Sequence, residues 1–127
     1  MPVRTLEDAK REKTQQIDKY NESDDVNGFY LGGQPMWLTV EEREQIATQI
    51  AAHEAVGRTE MTRWFGGVSY TFALNVWKQM LTALEVYAGD ALNVTEAHKA
   101  AVNTLTTIEA VDSYDYETGY PEKLNFD

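Results

Sequence analysis

Apolar positions along the chain follow two different spacings, and each change of spacing marks an element. Between Thr5 and Tyr20 the apolar residues are few (Leu6, Ala9, Ile17, Tyr20). A threonine hydroxyl followed by Glu7 and Asp8 suits a helix start, because the hydroxyl accepts free N–H groups and the acids oppose the positive end of the dipole. The pattern predicts a polar helix that lies on the surface or reaches a neighbour. Asn21 to Asn27 reads as a polar, acidic linker. Thr39-Val40-Glu41-Glu42 forms a capping box ahead of an apolar stripe of Ile46, Ala47, Ile50 and Ala51, and Gly57 stops that helix.

From Ala73 to Ala88 the stripe is Leu74, Trp77, Leu81 and Leu84, widened by Val76, Met80 and Tyr87. This is the helix expected to be most buried, with Gly89 as its end. A separate last helix is expected to open at Asn93-Val94-Thr95-Glu96, with a stripe of Val94, Ala97, Ala101, Leu105, Ile108 and Val111. After Ser113 the chain turns irregular, acidic and aromatic.

Alternation with period two appears around two glycine pairs thirty-four residues apart, Gly32-Gly33 and Gly66-Gly67. Glycine reaches positive φ at no steric cost, so Gly-Gly between apolar runs predicts a two-residue hairpin. The second pair sets Phe65 against Val68, Arg63 against Tyr70 and Met61 against Phe72 on an apolar face. Trp64 against Ser69 and Thr62 against Thr71 then form a polar face, as a half-buried antiparallel sheet requires. The first pair gathers Phe29, Leu31, Met36 and Leu38, and puts Gly28 opposite Trp37, whose ring would cover the bare backbone. Pro35 cannot donate to a ladder, so its strand is an edge or the turn is longer.

Neither hairpin suffices alone, so the two are expected to join in one four-stranded sheet. Two copies with hairpins in them are too few, and of the wrong kind, for a helical solenoid. The fold class is α+β: two β-hairpins forming a small antiparallel sheet packed against about three helices, plus an N-terminal helix. The expected organisation is a surface helix and linker over 1–25, then a single α+β domain over 26–127 with an irregular acidic-aromatic C-terminal arm.

Composition sharpens this picture. The 127 residues suit one domain, and 43% hydrophobic content supports a core. A formal charge of −10 opposes binding to nucleic acid or to anionic lipid. The basic residues Arg4, Lys10, Arg11, Lys13 and Lys19 are interleaved with Glu7, Asp8, Glu12, Asp18 and Glu22, which reads as a salt-bridged helix face. No signal or membrane-spanning run is visible. The acceptor patterns at Asn21-Glu22-Ser23 and Asn93-Val94-Thr95 are therefore read as chance matches.

The chemistry is sparse. Without cysteine there is no disulfide framework, thiol nucleophile or thiolate metal site. His53 falls late in one helix and His98 in the first turn of the last. Neither comes with a recognisable nucleophile and orienting acid, so both read as structural, and the helix start favours a neutral His98. Asp112, Asp115 and Glu117 lack the spacing of a calcium loop, whose glycine belongs at the sixth position. The glycine pairs carry no phosphate-binding pattern, and Ser69 no nucleophile elbow. No catalytic residue, metal site or cofactor is expected, and the chain reads as non-enzymatic. A hydrolase or ligand-binding module would need a polar cleft that sets His53 or His98 beside a carboxylate.

What remains is surface for contact. Trp37, Trp64, Tyr114, Tyr116, Tyr120 and Phe126 are not claimed by any predicted core. Aromatic anchors dominate protein interfaces, so these six are the candidate partner-binding residues. For the arm a second reading stands beside this one: it folds back and covers its own sheet.

Several stretches resemble one family. They are Val26-Asn27-Gly28-Phe29, Met36-Trp37-Leu38-Thr39 followed by Arg43, Trp64-Phe65-Gly66, and Ala83-Leu84-Glu85-Val86-Tyr87-Ala88. The run from Val94 to Val102 and the ending from Tyr114 to Leu124, with its Gly119-Tyr120-Pro121, complete the likeness, which covers about Ala9 to Asn125. The family is a domain of unknown function common in Bacteroides-type bacteria, their prophages and gut phages, often encoded near tail and tail-fibre genes. The resemblance implies a phage virion or tail-module structural protein, or alternatively a transient tail-assembly chaperone. Its partners would be other phage structural or tail proteins, with a homo-oligomer also open. Its place would be the virion or the host cytoplasm during assembly. No active site comes with it.

Overall fold

The computed structural model describes residues 3–127; Met1 and Pro2, which open the expected 1–25 segment, lie outside the described residues. The chain is α+β, with five helices and two small sheets among the described residues. Helix α1 (Leu6–Asn21) starts on a capping box in which the Thr5 hydroxyl accepts from the Asp8 N–H and the Asp8 carboxylate accepts from the Thr5 N–H. Within the expected linker lies a short helix, α2 (Asp24–Asn27), which buries Val26.

Strands β1 (Phe29–Leu31) and β2 (Gln34–Met36) pair antiparallel with Phe29 opposite Met36 and Leu31 opposite Gln34, so the Gly32-Gly33 turn is two residues long. Helix α3 (Val40–Ala55) follows the capping box at Thr39 and Glu42. Strands β3 (Glu60–Phe65) and β4 (Val68–Ala73) keep the predicted register throughout, including Arg63 opposite Tyr70 and Trp64 opposite Ser69. Gly66 and Gly67 adopt φ of 56° and 80°, the doubly positive turn whose twist matches a hairpin.

The two hairpins do not merge. The expected four-stranded sheet is replaced by a three-stranded sheet, β2-β1-β5, and a separate β3–β4 ribbon. Residues Asn125–Phe126 form β5, which lies parallel to β1 and takes its free edge; the Tyr30 N–H donates to the Leu124 carbonyl and the Gly32 N–H to that of Phe126. The remaining edge belongs to β2, where Pro35 has no N–H to offer, so the first hairpin has no edge suited to the second.

The expected break at Gly89 is also absent. Helix α4 runs unbroken from Leu74 to Thr104, 31 residues or roughly 46 Å, and only a five-residue helix, α5 (Ile108–Asp112), stands apart. Gly89 in a helix costs about 1 kcal/mol relative to alanine, but both flanks are held: Tyr87 and Ala91 are buried against Val26, and Thr95 is buried two residues past Asn93. Thr95 caps nothing. Its hydroxyl bonds instead with the Asn21 side chain (2.9 Å) and the Tyr120 hydroxyl (2.7 Å). His98 therefore stands within a continuous helix, so the expectation based on a helix start no longer applies.

Three apolar clusters lie along α4. Its first half meets both hairpins and α3 through Trp77, Met80, Leu84, Phe29, Leu31, Ile46, Ile50 and Met61. Tyr87 and Ala91 meet Val26, with Tyr20 and Tyr120 alongside. Val102 meets Ala9 and Ile17 of α1 and Val111 of α5. The sparse apolar positions of α1 are thus spent on a neighbour. Gly28 is required by close approach: a Cβ there would sit 2.5 Å from the Asp24 carbonyl oxygen. That carbonyl and the Lys123 ammonium, rather than the Trp37 ring, fill the place of the missing side chain.

Candidate protein-contact site

The six aromatic candidates divide into two groups. Tyr114, Tyr116, Tyr120 and Phe126 are half-buried on the chain's own body; the arm folds back, but only Phe126 meets the sheet, while the three tyrosines pack on α1 and α4. Tyr114 donates to or accepts from His98 Nδ1 at 2.6 Å, and His98 Nε2 lies 2.7 Å from the Thr118 carbonyl. A carbonyl only accepts, so Nε2 carries hydrogen and the imidazole staples the arm to α4. Tyr116 and Tyr120 each meet Tyr20 edge-on with centroids 5.5 Å apart, and Phe126 meets Phe29 at 5.8 Å. Burial raises the phenol pKa of Tyr20, Tyr87 and Tyr114, as desolvation disfavours phenolate. The Tyr87 hydroxyl is within hydrogen-bond reach of the Val26 and Pro121 carbonyls.

Trp37 and Trp64 behave differently. They are 47% and 67% exposed, and both line one groove between the two hairpins. Its walls are Gln34, Pro35 and Met36 from β2 on one side, and Phe65, Val68 and Tyr70 from the β3–β4 ribbon on the other. Glu42 of α3 also borders it. The ribbon wall is seated on the core, since Phe65 and the neighbouring Phe72 pack against Trp77 with centroids 6.4 and 5.0 Å away. Trp64 projects from the ribbon's polar face, where the Thr62 and Thr71 hydroxyls bond across the strands at 2.6 Å. A groove bordered by Trp37, Pro35 and a half-exposed Val68, with exposed Trp64 at its rim, offers apolar area that another protein can bury.

Comparison with protein-family models, with curated proteins and with solved structures gives no match.

Beyond Trp64 the surface changes character. A second cleft, between α3 and β3, is lined by Gln49, Ala52, His53, Val56, Arg58, Thr62, Arg63 and Trp64. Arg63 Nη1 donates to Gln49 Oε1 at 2.6 Å, and Arg58 Nη1 to His53 Nδ1 at 3.4 Å. Arg63 Nε is buried with no hydrogen-bond partner. The sequence pattern flagged Arg63 as the one charge on an apolar strand face, but nothing in it marked Arg58, whose place depends on how the connector after Gly57 returns to β3. Neither His53 nor His98 has a carboxylate within hydrogen-bond reach among the described residues. No group of three or more metal-ligating side chains occurs among them, and no helix is long and apolar enough to cross a membrane.

Proposed function

We propose that this chain is a non-enzymatic structural component of a phage particle, a virion or tail-module protein that works by contact with other phage structural proteins. The resemblance noted in the sequence supports the setting. The observation that carries the mode of action is that Trp37 and Trp64, both largely exposed, border one groove between the two hairpins. The aromatics of the arm, in contrast, serve the chain's own packing. Truncating an interface tryptophan commonly costs 2 kcal/mol or more, roughly thirtyfold in affinity.

The test is mass spectrometry with cross-linking on purified particles carrying wild-type chain or the W37A/W64A double variant. The expected outcome is stoichiometric wild-type chain, cross-links near β2 and the ribbon, and strong depletion of the variant. Wild-type chain absent from finished particles would overturn the structural reading in favour of a transient assembly chaperone.

A further inference from the structure

The cleft between α3 and β3 has a charge opposite to that of the molecule. The chain carries −10, yet no carboxylate lines this cleft, while Arg58, Arg63 and His53 all do. The other three arginines, Arg4, Arg11 and Arg43, each hold a carboxylate at 2.6 to 2.8 Å. Arg58 and Arg63 have none within 4.0 Å among the described residues. With twenty-one acidic residues available, two guanidiniums without a carboxylate partner set this cleft apart; Glu60 is the acid of the adjoining hollow, which shares His53, Arg58 and Thr62.

Backbone geometry adds a direction. The Phe65–Val68 pair closes the two-residue turn, so hydrogen-bonded pairs alternate down the ribbon as Phe65–Val68, Arg63–Tyr70 and Met61–Phe72. The Leu74 N–H donating to the Thr59 carbonyl continues the same alternation. The N–H and C=O groups of Thr62 and Trp64 therefore point away from β4, toward the side where the cleft lies between β3 and α3. They have no backbone partner among the described residues. An open strand edge of this kind is a template for an added strand.

We propose that the edge of β3 binds an extended acidic segment of the partner protein as an added strand. The segment's backbone bonds with Thr62 and Trp64, and its carboxylates meet the Arg58 and Arg63 guanidiniums. This deepens the protein-contact reading and rests on it, because Trp64 borders both the aromatic groove and this cleft. Arginine is well matched to such a contact, since its planar fork fits a carboxylate and stays charged. The repulsion from the body's overall charge is screened beyond about 8 Å at physiological salt, so the contact field decides the sign locally.

The test uses the full chain and an N-acetylated, C-amidated hexapeptide alternating glutamate and valine, titrated while amide NMR shifts and tryptophan fluorescence are read. Expected are shifts centred on Thr62 to Trp64, and affinity roughly tenfold weaker for R63A, for R58Q, and for a glutamine-valine peptide. Circular dichroism checks that the variants fold. Wild-type chain with a peptide N-methylated at alternate amides needs no variant, and is expected to show the same loss because the probe can no longer extend the ladder.

No binding at millimolar peptide, shifts away from β3, undiminished binding of the N-methylated peptide, or equal binding of succinate overturns the proposal. Self-association of the free chain through β3 does so too. If W37A/W64A is depleted from particles while R58Q/R63A is incorporated normally, this proposal falls and the protein-contact reading stands.

Discussion

Thr95 illustrates how one residue can mislead locally and still be informative. Beside Asn93 and Glu96 it looks like a helix start, yet its hydroxyl is fully buried and joins three elements: α4, the end of α1 through Asn21, and the arm through Tyr120. Thr95→Val keeps the volume but leaves the Asn21 and Tyr120 groups without this partner. The expected cost is about 1–3 kcal/mol, read from urea denaturation. In a double-mutant cycle with Tyr120→Phe, the combined loss should be less than the sum, since both changes remove the same bond. At this scale the sequence was readable where chemistry is local: Thr5 and Thr39 cap as their neighbours imply. It was unreadable where a side chain's partner lies far along the chain, as with Thr95, or with His98 between Tyr114 and Thr118.

Elements were legible in proportion to how much their own pattern determines them. The β3–β4 register follows from two glycines and strict alternation, and it holds pair by pair. What no local pattern contains is which edge of a hairpin will be taken, so β5, two residues at the far end of the chain, went unforeseen. Gly89 misled because intrinsic propensity opposes helix there while packing on both sides enforces it. Its Cβ position is open, with nothing within 4 Å, and its φ lies outside the positive range. Gly89→Ala is accordingly expected to stabilise the chain by about 0.5–1 kcal/mol, seen as a rise in thermal midpoint. The candidate groove followed the same rule: Trp37 and Trp64 were identifiable as surplus aromatics, but that both border one groove depends on the α4 core that both hairpins share.

At the scale of the whole molecule, the start of α1 and the end of α5 are tied by charge as well as by packing. Arg4 reaches Asp112 of α5 with two bonds of 2.8 Å and also pairs with Glu12. These bonds raise the Arg4 pKa, and the guanidinium holds the Asp112 carboxyl below its usual range. Asp8 is lowered as well, chiefly by the Thr5 backbone N–H and then by Arg11. A carboxylate depressed in the folded state contributes above its ordinary pKa, near 4, and that contribution disappears as pH falls through the folded value. Stability is expected to decline on acidification below about pH 4. Arg4→Gln should make that decline shallower, because Asp112 then titrates nearly alike in both states; urea titrations at a series of pH values measure the difference. The pair is exposed, so the effect should shrink in salt.

The parallel pairing of β1 with β5 has a consequence for synthesis. A ribosome releases β1 and β2 about ninety residues before Asn125–Phe126, and α1 likewise emerges well before Val102 and Val111. The middle of the polypeptide, from α3 through the ribbon to the start of α4, is the part whose neighbours arrive promptly. During synthesis the free edge of β1 and the apolar stripe of α1 therefore stay uncovered until those later residues emerge.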